Sequence, residues 1–464
     1  MTDKQAYNIT VLGGGSAYTP GLVAGLLRLG DKLPLARLTL VDIDEHKLEV
    51  VGSLVRHMIE TSGAAGASAS GSSAGSVTAR TQVTLTTDRL EGFRGADFVL
   101  SQIRVGGLKH RALDERIPNK YGVLGQETTG PGGFAMALRS IPVMLDVARD
   151  LQRVAPEAWL VNYTNPTGLV ADALHRYESG CKVISICDMP MAVQFLVSKL
   201  LGMPMNALAV DYVGLNHLGW TRHIYHHGVD LMDQLHGMVV QLMQLGPAIK
   251  GMIPKELGIG DEKEIEEIMV ILQMFHRLKV IPSPYLQYYY YKDETVKKQL
   301  EAGKTRAEVV MEIEKDLLGF YSEITRDKKP ELWKKRGGDW HADMMMGLVA
   351  AIANDTHETY IVNVPNRGAV DGIKYDKVVE VPAVVGRDGA RPLVVGRVES
   401  DMLGLMQVVA AYEELTVEAA VEGSREKALR ALSIHPLVPS LDVAERILND
   451  YLDAHREYLP AFSR

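Results

Sequence analysis

Asn8-Ile9-Thr10-Val11-Leu12-Gly13-Gly14-Gly15-Ser16 decides how the first part of this chain is read. An apolar run of strand length stops in three glycines. Residues 20–29 then carry apolar side chains at helical spacing, with Gly30 as the stop. Strand, glycine turn and helix in that order set the open N–H groups of a helix start over the turn. Gly13 and Gly15 let the backbone approach a pyrophosphate, and Ser16 completes the turn. Tyr18 stands where the dinucleotide fingerprint carries its third glycine. Asp42 strengthens the reading. It follows a second strand, residues 38–41, where an acid meets the ribose hydroxyls of an adenosine and favours NAD over NADP. A tight turn without ligand is the alternative for the glycines, and a helix cap shared with Asp44 is the alternative for Asp42.

Working outward, strand patterns recur at residues 83–86, 97–102, 159–162 and 183–187, separated by helical and loop segments. That alternation predicts an α/β, Rossmann-like doubly wound parallel sheet as an NAD-binding domain over residues 1–210. Residues 62–76 are almost wholly Ser, Ala and Gly and predict a flexible insertion. Beyond residue 211 long helical stretches (261–278, 305–318, 341–354) mix with a strand-like region at 378–398, and residues 401–458 are mostly helical. A mixed α+β second lobe, 211–464, is expected to bind substrate and support oligomerisation.

At 464 residues the chain is too long for one ordinary core. A net charge of -8 argues against nucleic acid as the main ligand, while an anionic substrate needs only a local basic pocket. Two cysteines, Cys181 and Cys187, form no disulfide framework and fit a reducing compartment. No apolar run approaches a membrane span, and the first residues are polar, so a cytoplasmic protein is expected.

Four groups of residues carry chemistry. Cys187 at a strand end and His217 in Gly214-Leu215-Asn216-His217 offer a soft sulfur and an imidazole to a divalent ion. A buried thiol and a structural histidine are the alternative. Tyr285 opens a tyrosine-rich run, residues 285–291. It is a plausible base only where a cation depresses its pKa from about 10. Arg104, Arg111, Arg306 and Arg336 lie in loop-like segments, and two or more converging would suit a phosphate. Two other classes of protein share parts of this pattern: a 2-hydroxy-acid dehydrogenase, which would release NADH, and a non-catalytic NAD sensor, which would not need Cys187, His217 and Tyr285.

Taken in order, Val11–Ser16, Arg104-Val105-Gly106, Gly125-Gln126-Glu127-Thr128, Asn162-Tyr163-Thr164-Asn165-Pro166, Cys187-Asp188-Met189-Pro190, Gly214–His217, Tyr285-Leu286-Gln287-Tyr288 and Lys335-Arg336-Gly337-Gly338 resemble glycoside hydrolase family 4. Within it the chain resembles the members acting on 6-phosphoglucosides. NAD-dependent members of this family depart from the two-carboxylate scheme of other glycosidases. The resemblance implies oxidation at C3 of the sugar by bound NAD, loss of the C2 proton, elimination of the C1 group, water addition and reversal. It implies Mn²⁺ or another divalent ion on Cys187 and His217, Tyr285 as the C2 base and Asn165 on the sugar hydroxyls. Arg111 and Arg306 would grip the 6-phosphate, with Arg336 a further contributor. Asp188 matches an acid of the α-specific members, whereas Gly106–Lys109 and the region from Thr305 onward resemble the β-specific ones. A phosphorylated β-glucoside is therefore the expected substrate, an α-glucoside the alternative, and a homodimer or homotetramer the expected assembly.

Overall fold

The computed structural model describes residues 5–69, 81–244, 262–323 and 340–463. Six strands, β1 (Tyr7–Leu12), β2 (Leu35–Val41), β3 (Gln82–Thr86), β4 (Phe98–Ser101), β5 (Trp159–Asn162) and β6 (Lys182–Ser185), pair in parallel in the order β3-β2-β1-β4-β5-β6. β4 and β5 read as short apolar runs because they are buried on both faces. The order reverses direction between β1 and β4, which opens a crevice at the carboxyl ends of the strands there.

The remaining strands extend the same sheet. β7 (Ala209–Leu215), β8 (Leu218–His226), β9 (Val229–Asp230), β10 (Ile281–Pro282), β11 (Glu358–Pro365), β12 (Val378–Gly386) and β13 (Gly389–Pro392) all pair antiparallel, giving β10-β8-β7-β12-β11-β6 with β9 on β8 and β13 on β12. Two contacts make the joints: Asn363 on β11 faces Ser185 on β6, and Glu380 on β12 faces Gly214 on β7. Near residue 210 the chain thus changes from parallel to antiparallel pairing inside one sheet. One hydrophobic core spans both parts, holding Val11, Phe98 and Leu160 together with Val362, Val381, Met406 and Ile447. The helix Trp340–Asn354 packs so closely on Thr19–Leu29 that a Cβ on Gly25 would lie 2.9 Å from the Ala342 Cβ.

The Ser/Ala/Gly segment at residues 62–76 begins inside a helix. The helix Glu45–Ala69 runs through Ser62 and into the Ala/Gly stretch. Alanine is the strongest helix former, and the helix enters this stretch already nucleated, so the glycines there do not stop it. Residues 70–76 lie outside the described residues.

Candidate active site

Glycine chemistry shapes one end of the crevice. Gly13 and Gly14 both donate to the Val41 carbonyl at 2.8 Å, and Gly13 has φ +90°. A Cβ on Gly14 would sit 2.7 Å from the Leu40 Cβ, so the turn lies flat against β2. Asp42 secures it: its carboxylate accepts the Gly15 N–H at 2.9 Å and the Asp44 N–H at 3.0 Å. The capping role falls to Asp44, which accepts the Lys47 N–H at 3.0 Å. Ser16 Oγ accepts the Tyr18 N–H, and the helix Thr19–Leu29 has no side-chain cap at its start. Beside Asp42, Ile43 is 97% exposed, an apolar surface next to a carboxylate. A glycine cradle, an uncapped helix start and this apolar and acidic edge fit a dinucleotide.

Cys187 and His217 meet where the parallel and antiparallel parts join. Cys187 lies two residues past β6, and His217 sits in the two-residue turn between β7 and β8 at φ +64°. Few non-glycine residues hold that left-handed conformation, and it recurs at functional sites. Cys187 Sγ and His217 Nε2 are 3.3 Å apart, and both residues are buried. The Tyr285 ring, in the short turn Pro284–Leu286 after β10, stacks on the His217 imidazole with centroids 3.8 Å apart. Tyr288 approaches Tyr285 edge-on at 5.8 Å. Asp188 Oδ1 is 3.6 Å from Cys187 Sγ, and the Tyr163 hydroxyl bonds to Asp188.

The electrostatics suit a cation. Burial, then Asp188 and Glu380, push the Cys187 thiol well up. Burial, followed by Cys187, Tyr288, Glu127 and Asp188, does the same to Tyr285. Burial lowers His217 to about 4, which leaves a neutral imidazole. A thiol, a neutral imidazole and a phenol are thus crowded among carboxylates. A divalent ion would take the thiolate and the imidazole as ligands and pull the phenol down, so the donor set fits one.

Of the carboxylates around this pair, sequence reasoning singled out Asp188 and missed the roles of Glu127 and Glu380. Glu127 is bridged by Arg104 at 2.7 Å and Arg111 at 2.9 Å; burial pushes it up, but these two arginines win and bring it to about 2. Glu115 holds Arg111 Nε at 2.7 Å. Arg111 is therefore a buried, doubly paired cation. Arg306 starts the helix Arg306–Ser322 with its side chain exposed; the next N–H, of Ala307, donates to Glu115 at 2.9 Å. The backbone next to Arg306 thus touches the carboxylate that pairs with Arg111, while Arg336 lies outside the described residues. Asn165 accepts from Thr167 Oγ1 at 3.2 Å, just before the helix Thr167–Tyr177. Glu380 sits at the sheet joint, accepting from Tyr212 (2.6 Å), Asn216 (2.9 Å) and Asn363 (3.1 Å), and burial pushes it up to about 7. Asn216 also accepts the Gly168 N–H at 3.2 Å. The available signal for Glu380 was a lone acid inside the apolar run Val378-Val379-Glu380-Val381; for Glu127 it was its place in Gly125–Thr128.

A second group with ligand atoms within 4.8 Å of one another, Asp355, His357 and Asp388, is exposed. Among the described residues no helix is long and apolar enough to cross a membrane.

Two family models match the chain. Residues 8–203 match the model described as family 4 glycosyl hydrolase, and residues 212–438 match the family 4 glycosyl hydrolase C-terminal domain. A protein of Bacillus subtilis (strain 168) described as a probable 6-phospho-beta-glucosidase is 40% identical, over 98% of this chain and 97% of its own. A 6-phospho-alpha-glucosidase from gut microorganisms, solved in complex with NAD and Mn²⁺, superposes with TM-score 0.85 at 31% identity, covering 98% of this chain and 99% of that one. The 6-phospho-beta glucosidase of Thermotoga maritima, solved with NAD and glucose-6-phosphate, gives 0.83 at 30% identity with the same coverage.

Proposed function

Because this chain belongs to glycosyl hydrolase family 4, we propose that it hydrolyses 6-phosphoglucosides, β-linked ones in preference, with NAD and a divalent metal ion such as Mn²⁺. The observation that carries the reading is the meeting of Cys187, His217 and Tyr285 at the sheet joint, beside the Arg104 and Arg111 grip on Glu127. Cys187 and His217 would hold the metal. Gly13, Gly15, Ser16 and Asp42 would hold the nucleotide. When bound, these groups supply reversible oxidation at C3 of the sugar and the positive charge that acidifies its C2 proton.

The chain's own residues do the rest. Tyr285 takes the C2 proton and later returns it, and its stacking on His217 fixes where the hydroxyl points. Asp188 moves a proton at the leaving-group oxygen in this reading. Asn165 orients the sugar hydroxyls. Arg306 meets the 6-phosphate from its exposed helix start, and Arg111 meets it from a position held by Glu115 and Glu127. Arg336 is a further phosphate contact in this proposal. A cytoplasmic, even-numbered homo-oligomer, dimer or tetramer, completes it; both cysteines are free thiols, as a reducing compartment allows.

One residue favours a second reading. Asp188 beside the metal cysteine suits an α-linked substrate. A panel of p-nitrophenyl 6-phospho-α- and β-glucosides with NAD⁺ and Mn²⁺ tests both. Turnover of the β-anomer that requires both cofactors and accumulates no NADH is expected. Net NADH release with a 2-hydroxy acid, or hydrolysis by nucleotide-free enzyme, would overturn the proposal. A preference for the α-anomer that Asp188→Asn abolishes would move the assignment from β to α.

A further inference from the structure

The helix Gly107–Asn119 carries four buried ionisable side chains in two i,i+4 pairs: His110 with Asp114, and Arg111 with Glu115. Arg111 and Glu115 belong to the active-site network. His110 and Asp114 form a second network in which the reaction has no evident use. Asp114 is completely buried and holds Arg139 through two bonds, 2.8 and 2.6 Å. Arg139, on the helix Gly130–Val154, also donates to the Val105 carbonyl at 3.3 Å. His455, just past the helix Leu441–Ala454, sets Nε2 at 2.9 Å from Asp114 and Nδ1 at 2.8 Å from His110 Nδ1. Tyr451 donates to the Asp114 carbonyl at 2.8 Å, and His110 Nε2 lies 3.0 Å from the largely exposed Glu457.

We propose that Asp114, Arg139 and His455 are positioning residues, tying the C-terminal turn of the chain to the helix and loop that aim Arg104 and Arg111 at Glu127. The inference rests on the active-site reading given above. Arg139 is the central link, because it grips both Asp114 inside the helix and Val105 beside Arg104. His455 is held on both sides of its ring, by the Asp114 carboxylate next to Nε2 and by His110 next to Nδ1, and burial keeps it on the neutral side. His455 therefore orients the helix without adding a charge, whereas removing Asp114 or Arg139 would strand a buried ion. Gly106 belongs to the same arrangement: at φ +85° a Cβ there would lie 2.7 Å from the His110 Cβ.

His455→Leu and His455→Gln separate positioning from bulk stability, because Gln can keep a donor near the Nε2 position. Leu is expected to raise KM for the 6-phosphoglucoside about tenfold, with kcat within about twofold, since small misplacements of binding groups have effects of this order. Amide exchange over residues 107–119 should quicken in His455→Leu. In His455→Gln both KM and exchange should return close to wild type. Unchanged KM and unchanged exchange in His455→Leu would overturn the inference, as would equal losses in the two variants. If His455→Leu does not fold, Tyr451→Phe removes only the bond to the Asp114 carbonyl. That variant should raise KM and quicken the same exchange to a smaller degree, and no change in either would overturn the inference. If wild-type protein hydrolysed no phosphoglucoside, the active-site reading would fall instead, and the exchange measurement alone would decide the anchoring.

Discussion

Cys187 with His217, and Asp355 with His357 and Asp388, are both sets of metal-ligating side chains, yet they are physical opposites. The triad stands in solvent, and its carboxylates are engaged: Asp355 accepts the Arg387 N–H at 2.7 Å and Asp388 pairs with Arg391. The Cys187–His217 pair is buried, stacked under Tyr285, and crowded by Asp188, Glu127 and Glu380. Water solvates the first set whether or not an ion is present. The second set holds its donors in a medium where acidic groups ionise only if a positive charge arrives. Donor count alone would favour the triad; burial and the surrounding carboxylates favour the pair.

The strongest way to break that comparison is to exchange the expected outcomes. Tyr285→Phe should cut kcat by about 10²–10⁴, the range of a lost general base, and abolish exchange of the C2 proton with solvent. His357→Ala should leave turnover and its recovery by Mn²⁺ after chelation unchanged. A large loss in His357→Ala with an active Tyr285→Phe would move the site to the triad.

Arg111→Ala comes next. Its guanidinium balances Glu115 and Glu127 in a buried setting, so its removal should cost roughly 3–5 kcal/mol of stability as well as raising KM. Urea unfolding checks this, and a loss confined to KM would mean the two carboxylates do not depend on it.

Burial also governs the pH response. His435 is 1% exposed, and burial lowers it to about 3, so it stays neutral in the folded protein. The unfolded chain takes up a proton below its ordinary value of about 6.5 and the folded chain does not, so this contribution to stability is lost as pH falls from about 6.5 toward 3. Between pH 7 and 5 the loss is about 2 kcal/mol. His435→Asn keeps an acceptor near Nδ1 for the Leu437 N–H but cannot titrate, so its stability should fall less over that interval. Equal pH dependence in the two proteins would refute a buried neutral imidazole. Glu380, raised to about 7, acts in the opposite direction in both proteins and cancels in the difference.

Arg306→Ala should have the smallest effect. Being exposed, it should change stability by under about 0.5 kcal/mol and raise KM for the phosphorylated substrate only modestly. A stability loss equal to that of Arg111→Ala would erase the distinction between buried and exposed arginines.

The sequence by itself determined the glycine turn after β1, the strand–helix alternation of the parallel sheet and the places of Cys187, His217 and Tyr285 in an ordered series of motifs. Those signals act over a few residues, through turn chemistry, periodicity and the spacing of short motifs. Only the tertiary structure decided that the second part of the chain extends the first sheet, that Arg111 is paired twice, and that Asp42 ties down the glycine loop. It also decided which carboxylates surround the site. Asn216 and Glu380 are 164 positions apart in the chain, and His110 and His455 are 345 apart. No local pattern encodes such partners, because a buried polar side chain is satisfied by whichever groups the packed fold brings within hydrogen-bond reach.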